Sequence, residues 1–181
     1  MPKFIALLRG VNVGKAKRVP MAELRALLGG LGYTDVATVL NSGNAVFHAT
    51  HGSSAQHATG IAAAIARQLM LEVPVVVKSA KEFAAIVHDN PIKAEQSQHS
   101  RFLLAFVQDA KALSALAAIE PLVVPPEQFA LGRHAAYLLC AAGLLESKAA
   151  QALLGRSGRS ATCRNWATVL KLQALASDGE G

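Results

Sequence analysis

The stretch Val36-Ala37-Thr38-Val39-Leu40-Asn41-Ser42-Gly43-Asn44-Ala45-Val46-Phe47-His48 contains the clearest secondary-structure signal in the chain. Its two apolar segments, 36–40 and 45–48, are rich in the residues that favour strands. The four residues between them supply a glycine for positive φ and short polar side chains that hydrogen-bond to nearby backbone. The stretch therefore predicts a β-hairpin.

The residues before the hairpin predict a strand, a loop and a helix. Residues 4–8 are a continuous apolar run that ends at Arg9-Gly10, so we expect a buried strand there. A basic, glycine-containing loop follows. Pro20 suits the first turn of a helix, and apolar residues recur at helical spacing after it.

The residues after the hairpin complete a recognisable order of elements. We expect a mobile polar loop at 51–57, a helix whose inner face includes residues 61–69, and a β-branched strand at 73–78. Residues 1–78 thus contain strand, helix, strand, strand, helix and strand in that order. This order predicts an α+β module of the ferredoxin-like, or split βαβ, type.

Residues 79–181 are predicted to form a second α+β module with a C-terminal helix. Its order resembles that of the first module, with the fourth strand missing or replaced, which makes the second copy irregular. The predicted strands are 101–108, 128–131 and 135–140, and the predicted helices are 81–88, 110–119 and 145–154. In the C-terminal helix we expect Thr162 as the N-cap, Trp166 as an apolar anchor and Arg164 on the outward face.

Composition restricts the class of protein. A chain of 181 residues can bury a large core, and its apolar runs are much shorter than the roughly 20 residues of a membrane helix. The first residues lack the pattern of a signal peptide, and two cysteines are too few for a disulfide framework. We therefore expect a cytoplasmic protein that does not enter a membrane. The net charge of +6 favours phosphate-bearing partners.

The basic loop, residues 9–18, is the first candidate site. It combines four cations, an amide side chain and two glycines directly after a predicted strand, and such loops can bind an anion. It is not a P-loop, because its glycines are one residue too close and no Ser or Thr follows Lys15. The alternative is a solvated connection whose glycines only let the chain turn.

A second basic set, Arg156, Arg159, Arg164 and Lys171, surrounds the predicted start of the C-terminal helix. A helix N-terminus favours a bound phosphate or carboxylate. An ordinary solvated helix face is the alternative for this set.

Catalytic and metal-binding patterns are weak. Cys163 would lie at a helix N-terminus, where its pKa could be lowered, but no histidine or carboxylate can be paired with it. Cys140 fits a buried, inert thiol. The histidines between His48 and His57 lack further ligands for zinc, and no pair of carboxylates is placed for acid–base catalysis. We expect no metal and no cofactor, and no catalytic residue can be assigned.

Four blocks of sequence resemble the bacterial domain-of-unknown-function family 1697. They are residues 4–14, residues 20–24, residues 41–47 and residues 162–172. The resemblance implies an α+β fold of two ferredoxin-like modules and leaves the biochemical role unassigned. The family usually has Ala or Thr at the position of Cys163, which implies that this thiol is incidental.

The polar positions of the family's motifs, together with the neighbouring Lys15, define the candidate ligand-binding residues. They are Arg9, Asn12, Lys15, Ser42, Asn44, Ser147, Lys148, Arg164, Asn165 and Thr168. In the favoured hypothesis the basic segment and the C-terminal helix meet in one site, which binds a phosphate or other anion of a nucleotide or nucleic acid.

Two further hypotheses stay open. The protein could be an enzyme acting on a small anionic metabolite, with Arg9 and Arg164 stabilising negative charge and Lys15, Lys148 or Ser147 as acid, base or nucleophile. It could also be a structural protein that forms a homo-oligomer without catalysis.

Overall fold

The computed structural model describes residues 1–15 and 17–177. The chain divides into two compact units. Unit 1 contains Met1–Ala84 and the segment that begins at Lys171, and unit 2 contains Ala85–Leu170. The predicted α+β fold with two ferredoxin-like modules and a C-terminal helix is confirmed. The predicted boundary after residue 78 stays a prediction.

Unit 1 has the predicted order of strands and helices. Its elements are β1 (Lys3–Leu8), α1 (Met21–Gly30), β2 (Thr34–Thr38), β3 (Asn44–His48), α2 (Ser54–Leu69) and β4 (Val75–Ser79), and α3 (Ala80–His88) begins in this unit. The sheet has the order β2-β3-β1-β4, and every neighbouring pair is antiparallel. The hairpin predicted from residues 36–48 is therefore confirmed as β2 and β3.

The core of unit 1 lies between one face of the sheet and the helices α1 and α2. Phe4, Ala6 and Leu8 alternate along β1 and are all buried, as expected for one face of a strand. Leu24 of α1 and Ile61 of α2 are fully buried in the same cluster. Strand β1 is thus fixed in the middle of the sheet, and the basic loop leaves from its end.

Unit 2 repeats this topology. Its elements are β5 (Phe102–Val107), α4 (Ala110–Ala115), β6 (Gln128–Leu131), β7 (Ala135–Leu139), α5 (Lys148–Leu154) and β8 (Ala161–Asn165), and α6 (Trp166–Ser177) begins in this unit. Three 3₁₀ segments lie at Gln96–Arg101, Leu116–Leu122 and Arg156–Gly158. The sheet order β6-β7-β5-β8 corresponds strand for strand to that of unit 1, and its neighbouring strands are also antiparallel.

The prediction that the fourth strand of the second module is missing or replaced was wrong. Residues Ala161–Asn165 form β8, which pairs along β5 with Thr162 opposite Phe106 and Arg164 opposite Leu104. Thr162 is therefore a strand residue and not the N-cap of a helix. Helix α6 begins at Trp166, and the Oδ1 atom of Asn165 accepts the Thr168 N–H at 2.9 Å. Asn165 is the residue that caps it.

The expected loop at 51–57 is wrong in its second half. Helix α2 begins at Ser54, because Ser53 and Gln56 form a capping box. Ser53 Oγ accepts the Gln56 N–H at 3.2 Å, and Gln56 Oε1 accepts the Ser53 N–H at 2.8 Å. His57 consequently lies inside the helix and is 5% exposed.

Within residues 1–15 and 17–177, no helix is both long enough and apolar enough to span a lipid bilayer.

Candidate functional site

The basic loop has an unusual backbone. Gly10, Asn12, Gly14 and Lys17 all have positive φ, between 46° and 69°. Glycine adopts this region without penalty and asparagine tolerates it, whereas a lysine there is strained by roughly 1–2 kcal/mol. The glycines noted in the sequence are therefore required by the path of the chain. Four residues with positive φ within eight positions make the loop compact.

Asn12 holds the loop in place. Its Nδ2 donates to the carbonyl oxygens of Val19 at 2.8 Å and Asn41 at 2.6 Å, and its Oδ1 accepts the Val19 N–H at 2.9 Å. The Asn12 N–H donates to Lys17 O at 3.0 Å. The side chain thus closes the loop on itself and ties it to the turn of the hairpin.

The hairpin turn, residues 39–43, is ordered by Asn44. The buried Nδ2 of Asn44 donates to Val39 O and to Ser42 Oγ, both at 2.9 Å. Gly43 has a φ of 86°, and a Cβ at that position would lie 2.7 Å from the Cβ of Leu8. Because only glycine fits there, the turn packs directly against the end of β1, beside the basic loop.

A small cleft of about 250 Å³ lies where the basic loop meets the hairpin turn. Asn12, Arg18, Pro20, Met21 and Asn41 line it. Arg18 and Asn41 were not among the predicted ligand-binding residues, although Asn41 belongs to the stretch that predicted the hairpin. Both residues line the cleft because the basic loop contacts the hairpin turn, which is far from it in the chain.

The cations of the basic loop differ in their surroundings. Lys15 and Arg18 are exposed, and Arg9 is half-buried. Lys17 donates from Nζ to Glu72 O at 2.6 Å, so its ammonium group already has a partner. No ion pair within residues 1–15 and 17–177 involves Lys15 or Arg18. These two side chains keep their charge available for a ligand.

Arg164 is buried within unit 2, which corrects the expectation that it faces outward. Its exposed fraction is 8%, and Nη1 donates to Thr162 Oγ1 at 2.9 Å and to Cys163 O at 2.7 Å. Burial lowers the pKa of the guanidinium to about 10, and it still carries its charge at neutral pH. A buried cation of this kind needs hydrogen-bonding partners, and it has them on its own strand.

The other candidates of unit 2 lie at helix starts. Asn165 caps α6, and Thr168 is buried in its first turn. Ser147 is 1% exposed, and its Oγ accepts the Ala150 N–H at 3.0 Å at the start of α5. Lys148 is exposed as the first residue of that helix. The motif serine and asparagine therefore each have a structural role in addition to any role in binding.

The two thiols lie in different environments. Cys163 is half-buried in β8, so the premise that it lies at a helix N-terminus was wrong. Cys140 is buried as expected. Burial raises the pKa of the Cys140 thiol, a hydrogen bond with Ser147 opposes this rise, and the charge of Glu127 adds to it.

His57 is enclosed by the aromatic rings of Phe4, Tyr33 and Phe47, at centroid distances between 4.5 and 5.7 Å. Its Nδ1 shares a hydrogen bond of 2.8 Å with the Tyr33 hydroxyl, and its Nε2 is buried without a partner among the described residues. Burial lowers the pKa of the imidazole. Within residues 1–15 and 17–177, no group of three His, Cys, Asp or Glu residues is arranged to hold a metal ion.

The structure assigns the predicted site residues to two groups. Unit 1 contains Arg9, Asn12, Lys15, Ser42 and Asn44; the bond from Asn12 to Asn41 joins the loop to the turn, and Asn44 bonds to Ser42 of that turn. Unit 2 contains Ser147, Lys148, Arg164, Asn165 and Thr168. Within unit 2, Arg164, Asn165 and Thr168 lie near one another in the chain, at the junction of β8 and α6.

Comparison with known proteins identifies a family and a fold. The family model described as a protein of unknown function, DUF1697, matches residues 1–137. Among curated proteins, none matches the sequence significantly. The solved structure of the conserved bacterial protein SP0830 from Streptococcus pneumoniae is similar, with a TM-score of 0.81 and 24% identity over 97% of this chain and 99% of that one. The chain therefore belongs to the DUF1697 family.

Proposed function

We propose that this protein binds a phosphate-bearing anion, part of a nucleotide or a nucleic acid, at the basic loop of unit 1. The observation that supports this proposal most directly is the pair of exposed cations, Lys15 and Arg18, on a loop whose backbone is strained and clamped by Asn12. Such strain is kept when the surrounding structure enforces it, and it is concentrated at binding sites.

Preorganisation is the first supporting argument. Binding an anion with flexible lysine and arginine side chains normally costs the entropy of ordering the loop that carries them. Here the hydrogen bonds of Asn12 order the loop before any ligand arrives. In this proposal Asn12 and Asn44 are positioning residues that keep the loop and the hairpin turn side by side.

Charge is the second supporting argument. Arg9, Lys15 and Arg18 lie within ten residues of each other, and no acidic residue occurs between positions 1 and 22. Positive charges grouped in this way repel each other, and a phosphate among them would remove that repulsion. Arginine also binds phosphate oxygens in a bidentate geometry. Ser42 would add a hydroxyl from the turn.

The candidates of unit 2 stay proposals of the same kind. Lys148 is the exposed cation among them and would contribute charge to an anion. Arg164, Asn165, Thr168 and Ser147 would support such a ligand through the hydrogen bonds that order β8, α5 and α6.

A thermal-shift screen tests the unit 1 proposal. Wild-type protein is heated with sodium phosphate, with ATP and with a short single-stranded oligonucleotide. A ligand at about 100 times its Kd stabilises the native state by about 2.7 kcal/mol. For a chain of this size that corresponds to a rise in Tm of about 5–10 °C.

The decisive comparison uses two double variants with the same loss of charge. Lys15→Ala with Arg18→Ala removes the exposed cations of the basic loop, and Lys81→Ala with Arg67→Ala removes one lysine and one arginine that are exposed elsewhere in unit 1. We expect the oligonucleotide shift to disappear, and the shifts with phosphate and ATP to become smaller, in the first variant, whereas all three shifts should remain in the second. Equal shifts in both variants, or no shift with any of the three ligands, would overturn the proposal.

A further inference from the structure

A second cationic region lies in unit 2, at a cleft of about 650 Å³ that we call the unit 2 cleft. Lys111 on α4 and the arginines Arg156 and Arg159 between α5 and β8 line it. Its volume falls within the range of roughly 300–1,000 Å³ that is typical of small-molecule sites. It shares no residue with the basic loop, so the two regions can be tested separately.

The charge that lines the unit 2 cleft is mainly positive. Lys111, Arg156 and Arg159 are exposed, and none of them forms an ion pair with any residue in the ranges 1–15 and 17–177. Asp109 also lines the cleft, but its Oδ1 accepts the Ala112 N–H at 2.8 Å at the start of α4. Three cations around one cleft with one carboxylate make it attractive to an anion with more than one negative charge.

The two arginines are carried by one tight turn. Arg156–Gly158 is a turn of 3₁₀ helix, and the Arg159 N–H donates to Arg156 O at 3.2 Å. Side chains three residues apart eclipse each other in this conformation, so both arginine side chains leave the turn on the same side, and both line the cleft. Two guanidinium groups on one side can bind adjacent oxygens of a phosphate chain.

Gly158 fixes the position of that turn. A Cβ at residue 158 would collide with the carbonyl oxygen of Leu153 and would lie 2.7 Å from its carbonyl carbon. The turn is therefore packed directly on the backbone of α5, and Gly158 is buried. This contact determines where the side chains of Arg156 and Arg159 begin, and it does so without a ligand.

The remaining lining is small and partly apolar. Ala112, Ala115 and Ala118 contribute methyl groups, and Ser157 and Ser160 contribute hydroxyls. Alanines leave the space open and offer a surface against which a flat ring can lie. The cleft thus combines charge for a phosphate with an apolar wall for the rest of the molecule.

We propose that the unit 2 cleft binds a small phosphorylated molecule of the nucleotide class. Its phosphates contact Arg156, Arg159 and Lys111, and its base lies against the alanine wall. This site shares no residue with the anion site proposed for unit 1, and the inference does not depend on that proposal.

Isothermal titration calorimetry of the full chain tests this inference, with ATP, AMP and inorganic pyrophosphate as probes. The test variant is Arg156→Ala with Arg159→Ala. The matched control is Lys93→Ala with Arg133→Ala, which removes two exposed cations of unit 2 that do not line the cleft. We expect the Kd for ATP to rise at least about tenfold in the test variant and to change less than about threefold in the control.

The probes distinguish the parts of the proposal. Tighter binding of ATP than of pyrophosphate supports a role for the apolar wall, and Ala115→Asp should then weaken ATP more than pyrophosphate. Equal ATP affinity in the test variant and the wild type would overturn the assignment of the site. Binding of an oligonucleotide that depends on Arg156 and Arg159, with no binding of ATP, would overturn the ligand class.

The proposals for the two sites can also be refuted independently of each other. The unit 1 variant Lys15→Ala with Arg18→Ala should keep the affinity of the unit 2 cleft for ATP. If that variant abolishes ATP binding while Arg156→Ala with Arg159→Ala does not, the nucleotide belongs to the basic loop and the inference for unit 2 is overturned.

Discussion

Replacing Asn12 by alanine tests whether the basic loop is held by one side chain. The change removes three hydrogen bonds, from Nδ2 to Val19 O and Asn41 O and from the Val19 N–H to Oδ1. Each contributes a net 0.5–1.5 kcal/mol or so to stability, with the lower values expected where the bond is exposed. The φ of Asn12 is 56°, a conformation that costs alanine roughly 1 kcal/mol or more. We therefore expect Asn12→Ala to lower the free energy of unfolding by about 2.5–5.5 kcal/mol.

A glycine variant separates the two contributions. Asn12→Gly loses the same three hydrogen bonds, but glycine adopts a φ of 56° without steric strain. We expect it to be more stable than Asn12→Ala by about 1 kcal/mol, reduced somewhat by the greater flexibility of glycine in the unfolded chain. The difference between the variants measures the backbone strain, and the remaining loss measures the hydrogen bonds.

Urea denaturation followed by circular dichroism gives both values. The midpoint and the m-value are fitted together, because an unchanged m-value shows that the variants change stability and not the unfolded state. A loss below about 0.5 kcal/mol for Asn12→Ala would refute the idea that this side chain holds the loop. Equal midpoints for the alanine and glycine variants would refute the strain at residue 12.

Three further predictions follow from buried groups. Gly158→Ala should destabilise the protein by about 3 kcal/mol or more in a thermal melt, because a Cβ collides with the backbone of α5, whereas Gly60→Ala, inside α2 with open space around it, should raise stability by up to about 1 kcal/mol; equal melts would contradict this. Burial lowers the pKa of His57, so its contribution to stability is present above its unfolded pKa of about 6.5 and is lost as the pH falls below it; the urea midpoint should drop between pH 7 and pH 5, and less in His57→Phe, while equal drops would contradict this. Tyr137→Phe removes the hydrogen bond of 2.7 Å to Ile86 O and should cost about 1–2 kcal/mol in urea unfolding, and an unchanged midpoint would show that the bond adds no net stability.

Elements with strong local signals were predicted well from the sequence. The turn residues Asn41, Ser42 and Gly43 lie between two strands, and those strands are confirmed as β2 and β3 within two residues of the predicted ends. Strands β6 and β7 were predicted to within one residue, because a short Gly-Arg-His turn separates two apolar segments. In these cases the residues that specify the structure are neighbours in the chain.

Strand β8 shows where this reasoning fails. Its five residues, Ala-Thr-Cys-Arg-Asn, contain no run of large apolar side chains, and the helical pattern of the residues that follow was extended backwards over them. They become a strand through hydrogen bonds with β5, which is about 60 residues earlier in the chain. The same error placed Thr162 at a helix cap and Arg164 on the surface.

For the candidate site, local chemistry predicted which residues were unusual but not what they contact. The basic loop was expected to turn at its glycines, and Gly10 and Gly14 do have positive φ, but the positive φ of Asn12 and Lys17 was not predicted. The bond from Asn12 to Asn41 joins positions 29 residues apart and could not be predicted from either segment.

The sequence by itself determined the class of fold, the hairpin and the presence of two clusters of positive charge, because periodicity, turn residues and net charge are properties of short segments. Tertiary structure alone decided that Arg164 is buried, that His57 is enclosed by aromatic rings and that Arg156, Arg159 and Lys111 line one cleft. Burial and convergence depend on which distant segments pack together. That packing is set by the free energy of the whole unit and not by the residues on either side of a position.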